Sequence, residues 1–162
     1  MKLIRVYKKQ FTFSLGKREK QLLFQILQMY PLVPPSHHQL SKKGKRSSQH
    51  EDQRLLEDAV AEQRRQNRKQ VLAMLEGPGR FRETTDDIRL SLTPAEIEWL
   101  LQVLNDVRVG GWLALGEPEE LEPPEINETN APYLLAMEVA GYFQAQLLAA
   151  LGHHQPTQSD ES

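Results

Sequence analysis

The side chains able to do chemistry are few and scattered. Five histidines occur, as His37-His38, His50 and His153-His154. None forms the i, i+4 pair with which a helix usually offers a zinc site, and all fall in segments read below as loop or tail. Cysteine is absent. That excludes a disulfide scaffold, thiol catalysis and thiolate-bound zinc, and it fits a reducing compartment. Gly77-Pro78-Gly79 lacks the lysine of a phosphate-binding loop and follows no strand, so it reads as a turn. Asp86-Asp87 is a carboxylate pair, but aspartate also suits the turn before a strand. No serine stands in a nucleophile elbow. No catalytic, cofactor-binding or metal-binding set emerges, and the expectation is a non-enzymatic protein.

Charge is the stronger signal. The net charge of -2 over 162 residues hides a gradient. Residues 1–50 carry eleven bases and one acid, whereas residues 93–162 carry one base and twelve acids. Such asymmetry suggests partners of opposite sign at the two ends, or one end covering the other. Two basic clusters stand out: Lys42, Lys43, Lys45 and Arg46, and then Arg64, Arg65, Arg68 and Lys69. On a helix Arg64 lies beside Arg68 and Arg65 beside Lys69, where like charges repel slightly. A phosphate backbone would relieve that repulsion, and so would the acidic stretch from Glu117 to Glu128. No aromatic residue interleaves with these bases, which argues against stacking on single strands. A plain solvated helix face is the default reading of the same pattern.

The elements that must position these groups follow from hydrophobic period. Residues 2–15 read as strand, with Phe11, Phe13 and Leu15 alternating with polar neighbours, and Lys8-Lys9 as a hairpin turn that no glycine or asparagine supports. Residues 17–30 read as helix, stopped by Pro31, Pro34 and Pro35. Residues 31–50 read as a mobile basic linker, too poor in apolar groups to offset the entropy of ordering it. Residues 51–76 read as a long helix, buried in its first half by Leu55, Leu56, Ala59 and Val60 and in its last by Val71, Leu72, Met74 and Leu75, with Gly77 just past its end. Residues 87–92 read as strand. Thr93-Pro94-Ala95-Glu96 then makes a capping box with proline at the first helical position, opening a helix to about Leu115. Within it Gly110-Gly111 either weakens the helix or permits close approach. Residues 116–130 are an acidic, proline-rich loop, Asn130 is placed to cap a last helix over 131–151, and 152–162 is a frayed tail.

Residues 11–27 and 88–104 align with six identities in 17 positions, among them Ser14 with Ser91, Glu19 with Glu96 and Leu27 with Leu104. Each copy is a strand, a capped turn and a helix, followed by a second helix. The implied fold is α+β and mostly helical: a four-helix body with a small antiparallel sheet, built from two pseudo-repeated strand–helix–helix halves forming one domain over 1–151. The strands at 11–15 and 87–92 are expected to be neighbours.

The last helix is apolar nearly all round, with Glu138 its only charged side chain. Such a helix is central to a core or spans a membrane. Its length approaches a span, but a mid-span glutamate and the lack of flanking bases favour a core helix, with an oligomer contact as a further use. Arg108 is the only base after residue 92. Because a buried charge needs a partner, Arg108 is expected to pair with Glu138, with Asn105 satisfying a remaining acceptor, as a structural strut between the last two helices.

The stretch LSLTPAEIEWLLQVLNDVRVGGWLALG (90–116) resembles the bacterial DUF2017 family, whose members carry a similar L-T-x-x-E…W-L-x-x-x-N-D-[LV]-R pattern. FTFSL…LLFQIL and AMEVAGYFQAQLLAAL resemble its first and last blocks. The resemblance implies no reaction and no catalytic residue. Members are often encoded beside the adaptor of the Clp protease, which implies a cytoplasmic regulatory or adaptor-like role and makes the Clp system a candidate partner. The basic first loop departs from the family, where this loop varies in length and is often acidic. The expected function is a non-enzymatic cytoplasmic protein-interaction domain. The alternative is a nucleic-acid-associated transcriptional regulator using the basic linker and second helix.

Overall fold

The computed structural model describes residues 1–34 and 47–153. Eight elements follow in order: β1 (Lys2–Tyr7), β2 (Gln10–Leu15), α1 (Lys17–Leu27), α2 (Ser47–Glu76), β3 (Phe81–Glu83), β4 (Ile88–Leu92), α3 (Pro94–Ala114) and α4 (Ala131–His153). The strands form one antiparallel sheet in the order β1-β2-β4-β3. The helices cover one face of it, because Phe11, Phe13, Leu15, Ile88, Leu90 and Leu92 are all buried and alternate with half-exposed polar residues.

The expected α+β architecture is observed, and the pairing of β2 with β4 gives the repeat a geometric meaning. Phe13 lies opposite Leu90, while Phe11 faces Leu92 and Leu15 faces Ile88. Phe13 and Leu90 are also equivalent positions of the repeat, so a pseudo-two-fold axis passes between them. The outer strands obey it as well. β1 precedes β2 as a hairpin and β3 precedes β4 as a hairpin, so each half is hairpin–helix–helix. Sequence reading missed β3, which is only three residues long. Both halves share the return bond from the third helical residue: Glu19 accepts from the Gly16 N–H at 3.1 Å and Glu96 from the Thr93 N–H at 3.0 Å. Thr93 adds its own cap, accepting from the Glu96 N–H at 3.2 Å.

The β1–β2 turn is the Lys8-Lys9 pair, with φ of 47° and 60°. Positive φ at both central residues is the turn that matches strand twist, and a lysine there is strained by its Cβ. Lys9→Gly is therefore expected to raise unfolding free energy by about 1 kcal/mol, read from denaturant midpoints. A loss of stability would mean that the lysine side chain compensates its own strain.

Arg80 ties three elements together just after α2. Its Nε donates to the Met74 carbonyl at 3.1 Å, its Nη1 to the Ser91 carbonyl at 2.9 Å, and its Nη2 lies 2.7 Å from Glu96 Oε2. The guanidinium thus closes the end of α2, where Gly77 was expected to act. Gly77 follows the helix but its φ is not positive, and the left-handed glycine is Gly79, at φ 76°. Burial of the Glu96 carboxyl works to raise it, but bonds from Thr93 and Arg80 outweigh that and hold it below its ordinary value. With the folded value below the unfolded one, the cluster's stabilisation is present above the ordinary carboxylate value and is lost as pH falls through the folded one. Glu96→Gln is expected to destabilise at neutral pH and to converge on the parent in acid, in urea midpoints taken along a pH series. A gap that stays constant would mean that the charge contributes nothing.

α2 departs most from expectation. It spans 30 residues, yet from residue 50 onward its buried positions are only Arg64, Val71 and Leu75. Leu55 is 66% exposed and Ala59 is exposed, while Leu56 and Val60 are half-buried. The first half of the helix therefore lacks the burial foreseen for it. The linker expectation also changes at its edges. Residues 31–34 are docked on the body, residues 47–50 are helical, and 35–46 lie outside the described residues. Val33 is buried, and the Leu32 and Val33 N–H groups both donate to Asp106 Oδ1, at 2.7 and 3.2 Å. The tail beyond His153 also lies outside the described residues.

Candidate functional site

The outer surface of α3 and α4 forms the candidate site. The two helices approach closely at Gly111, where a Cβ would stand 2.8 Å from the Tyr133 carbonyl oxygen. At Gly110 a Cβ would lie 2.6 Å from the Leu32 side chain. The Gly110-Gly111 pair therefore serves close approach on two sides of α3 rather than weakening it. Asn130 precedes α4 where foreseen, and its carbonyl accepts from the Tyr133 and Leu134 N–H groups at 3.0 and 3.3 Å, but its side chain does not cap the helix. Its side-chain oxygen accepts from the Asn127 N–H at 2.8 Å and its amide donates to the Glu125 carbonyl at 2.9 Å, so it holds the acidic loop.

α4 buries one stripe only: Ala136, Ala140, Phe143, Leu147 and Ala150. Their spacing of four and three residues is one helical face. The other half of the helix carries Leu135, Tyr142 and Leu148, which are 43%, 41% and 57% exposed. The expectation of a central core helix is thus corrected to a helix with one buried stripe and exposed apolar side chains on both of its flanks, Leu135 and Tyr142 on one and Leu148 on the other. The Tyr142 hydroxyl donates to Glu19 Oε2 at 2.7 Å, and the Met1 amine meets both groups. This ties the Tyr142 flank of α4 to α1 and β1.

Between α3 and α4 lies an open cleft of about 450 Å³, lined by Val109, Trp112, Met137 and Gly141, with Arg108 and Glu138 on it. The Trp112 indole N–H donates to the Pro118 carbonyl at 3.1 Å, pinning the start of the acidic loop beside the cleft. The foreseen strut is not formed. Arg108 and Glu138 are both exposed, and Arg108 donates to Asn105 Oδ1 at 3.3 Å instead. α3 turns Val103, Leu104 and Val107 inward, which leaves Asn105, Arg108 and Trp112 on the outside.

The buried ion pair lies elsewhere. Arg64 is 8% exposed, its Nη2 stands 3.4 Å from Asp106 Oδ2, and its Nη1 donates to the Val33 carbonyl. Arg64 is therefore corrected from a surface base to an internal anchor. Arg65 pairs with Glu62 at 2.8 Å on the surface, and Arg68 and Lys69 are exposed. Lys42, Lys43, Lys45 and Arg46 lie outside the described residues. Within α2 the four bases do not form one face. Sequence reasoning missed this role of Arg64 and Asp106, although a signal was present: Val60, Arg64, Asn67, Val71 and Leu75 share one helical stripe, so two polar residues lie among apolar ones. Among the described residues no group of three or more His, Asp or Glu side chains is placed to hold a metal ion.

The model of a domain of unknown function, DUF2017, matches residues 32–151. The chain belongs to the DUF2017 family. The match starts at Leu32, the residue held by Asp106, and runs to the end of α4. It leaves out β1, β2 and α1, so the two-fold partner of the β4–α3 unit lies before the DUF2017 match. No curated protein and no solved structure matches the chain.

Proposed function

We propose that this DUF2017 domain is a non-enzymatic, cytoplasmic protein-interaction module with a regulatory or adaptor-like role, whose working surface is the open face of α3 and α4. The supporting observation is that Leu135, Tyr142 and Leu148 stay exposed on a helix whose opposite stripe is buried. Single exposed leucines are ordinary, but Leu148 lies on the side of α4 that carries Met137 and Gly141, beside a cleft that also holds Trp112, and Leu135 and Tyr142 continue the exposed apolar area round the same helix, which marks a contact surface. Arg108 and Glu138 give that surface one charge of each sign, so a partner helix would find direction as well as apolar area.

By length and composition α4 would also suffice to cross a membrane, with a mean hydropathy of 1.4 over its most apolar 18 residues. The partner reading is preferred because Glu138 falls within that helix and Phe143 and Leu147 are spent on the body of the domain.

The test is capture from native lysate of the source organism by the full chain and by a Leu135→Glu, Leu148→Glu variant, each with and without nuclease. Both substituted positions are exposed, so thermal melts of the variant are expected to match the parent. A protein captured by the parent and lost by the variant, insensitive to nuclease, is the expected result. Capture unchanged in the variant overturns the proposal. Sedimentation at rising concentration, run alongside, tells whether the partner is a second copy.

A further inference from the structure

The sheet face turned away from the helices is a second surface, independent of the first. Its residues follow from the register. Arg5, Thr12 and Ser91 make one row across three strands. Lys2, Ser14, Arg89 and Arg82 make another across all four. Of these, Arg5, Thr12, Ser91, Arg89 and Arg82 line a polar groove of about 590 Å³, and Lys2 and Ser14 share its face beyond the lining. At the usual strand spacing of ~4.8 Å the groove crosses about 15 Å from β1 to β3. Its floor is hydroxyl, with Thr12 and Ser91 side chains 3.2 Å apart. Its walls are cationic, with Arg5, Arg82 and Arg89 set against one acid, Asp87.

Asp87 is already engaged. It accepts from the Ser14 and Thr84 hydroxyls and lies 3.5 Å from Arg89 Nε. It therefore orients Arg89 and offsets one of the three guanidinium charges of the groove. On the β1 edge Tyr7 organises the cations, with the Arg5 guanidinium 4.9 Å and the Lys8 ammonium 5.4 Å from its ring centre. Lys8 occupies a strained left-handed turn where asparagine or glycine would fit better, so the turn keeps a cation at the cost of backbone comfort.

We infer that this face binds the backbone of a single-stranded nucleic acid. Guanidinium forks over a hydroxyl floor suit phosphate oxygens. An open four-stranded antiparallel sheet can present such groups to an extended strand on one surface, as sheets that stack bases on aromatic side chains do. Among the described residues Tyr7 is the only aromatic side chain lining the groove, so little base stacking is available and sequence preference is expected to be weak. The acidic loop of a second copy is the lesser candidate, because Trp112 already holds the start of that loop against its own body and Asn127 and Asn130 brace its end.

The test is fluorescence anisotropy of the full chain with end-labelled 12-nucleotide oligo(dT) and oligo(U) at 50 and 200 mM KCl. If Lys2, Arg5, Lys8, Arg82 and Arg89 each neutralise one phosphate, the salt slope is near -3.5 and affinity falls roughly 100-fold across that range. Arg5→Gln with Arg82→Gln, both exposed, is expected to make the slope shallower by about 1.4 and to weaken binding at 50 mM at least tenfold. Arg65→Gln with Arg68→Gln on α2, and separately the fourfold Gln variant of Lys42, Lys43, Lys45 and Arg46, are expected to change affinity less than about twofold. Absence of binding at 50 mM overturns the inference. So does a loss confined to the α2 or 42–46 variants, or tighter binding of a peptide of residues 117–128 than of either oligonucleotide.

Discussion

Asp106→Ala is expected to destabilise the domain by about 3–5 kcal/mol, because it leaves the Arg64 guanidinium buried without its carboxylate. The carboxylate performs two tasks at once. Oδ1 accepts from the Leu32 and Val33 amides, and Oδ2 faces Arg64. The loss therefore unfastens the segment after α1 as well as α2. That segment also carries Leu32 into the space left by Gly110. Asp106→Asn keeps one acceptor for the two amides and removes the charge, so it is expected to cost less than alanine. Urea unfolding of Asp106→Leu, Arg64→Met and the double variant completes a cycle. The double variant is expected to lose much less stability than the sum of the two single losses, since apolar replacement of both partners of a buried pair is often tolerated. Additive losses would show that the pair is not coupled, and an Asp106→Ala loss below about 1 kcal/mol would place it among ordinary surface pairs.

Phe13→Ala is expected to cost about 3–5 kcal/mol, and Leu90→Ala about 2–5 kcal/mol. Both side chains are fully buried and face each other across the pseudo-two-fold axis, so a cavity at either opens between β2, β4 and the helices above them. The axis adds a sharper expectation. Exchanging the two residues, Phe13→Leu with Leu90→Phe, conserves volume at one spot and is expected to cost less than about 1.5 kcal/mol. An exchange as costly as the alanine variants would show that the two halves surround the axis differently and that the symmetry stops at the backbone.

Much of the fold was legible in the sequence because local rules govern it. Period-two alternation at 11–15 and 88–92 has one solution, a half-buried strand. The Thr93 to Glu96 box has one solution, a capped helix start. Six identities between 11–27 and 88–104 then implied two similar units, and burying two such apolar strand faces together led to the observed neighbours. α4 was harder. A helix apolar on every side carries no phase, so its sequence could not say which face turns inward, and the choice of Glu138 as a buried partner had nothing to restrain it. The strongly periodic α1 posed no such difficulty.

The charged residues were legible least. Arg64 looked like Arg65 and Arg68, its neighbours in a basic run, and counting charge could not separate them. What separates them is Asp106, 42 positions away in sequence, together with two backbone amides that only the docked 31–34 segment presents. The open sheet face is a similar case. Arg5, Arg82 and Arg89 belong to three different strands and form no run in the sequence, and only the register brings them to one groove. The sequence by itself determined the elements, their caps and the repeat, because those depend on neighbours a few residues apart. Tertiary structure decided which charges are buried, which apolar face stays open and which bases share a surface, because burial and charge proximity depend on distances that the chain order does not encode.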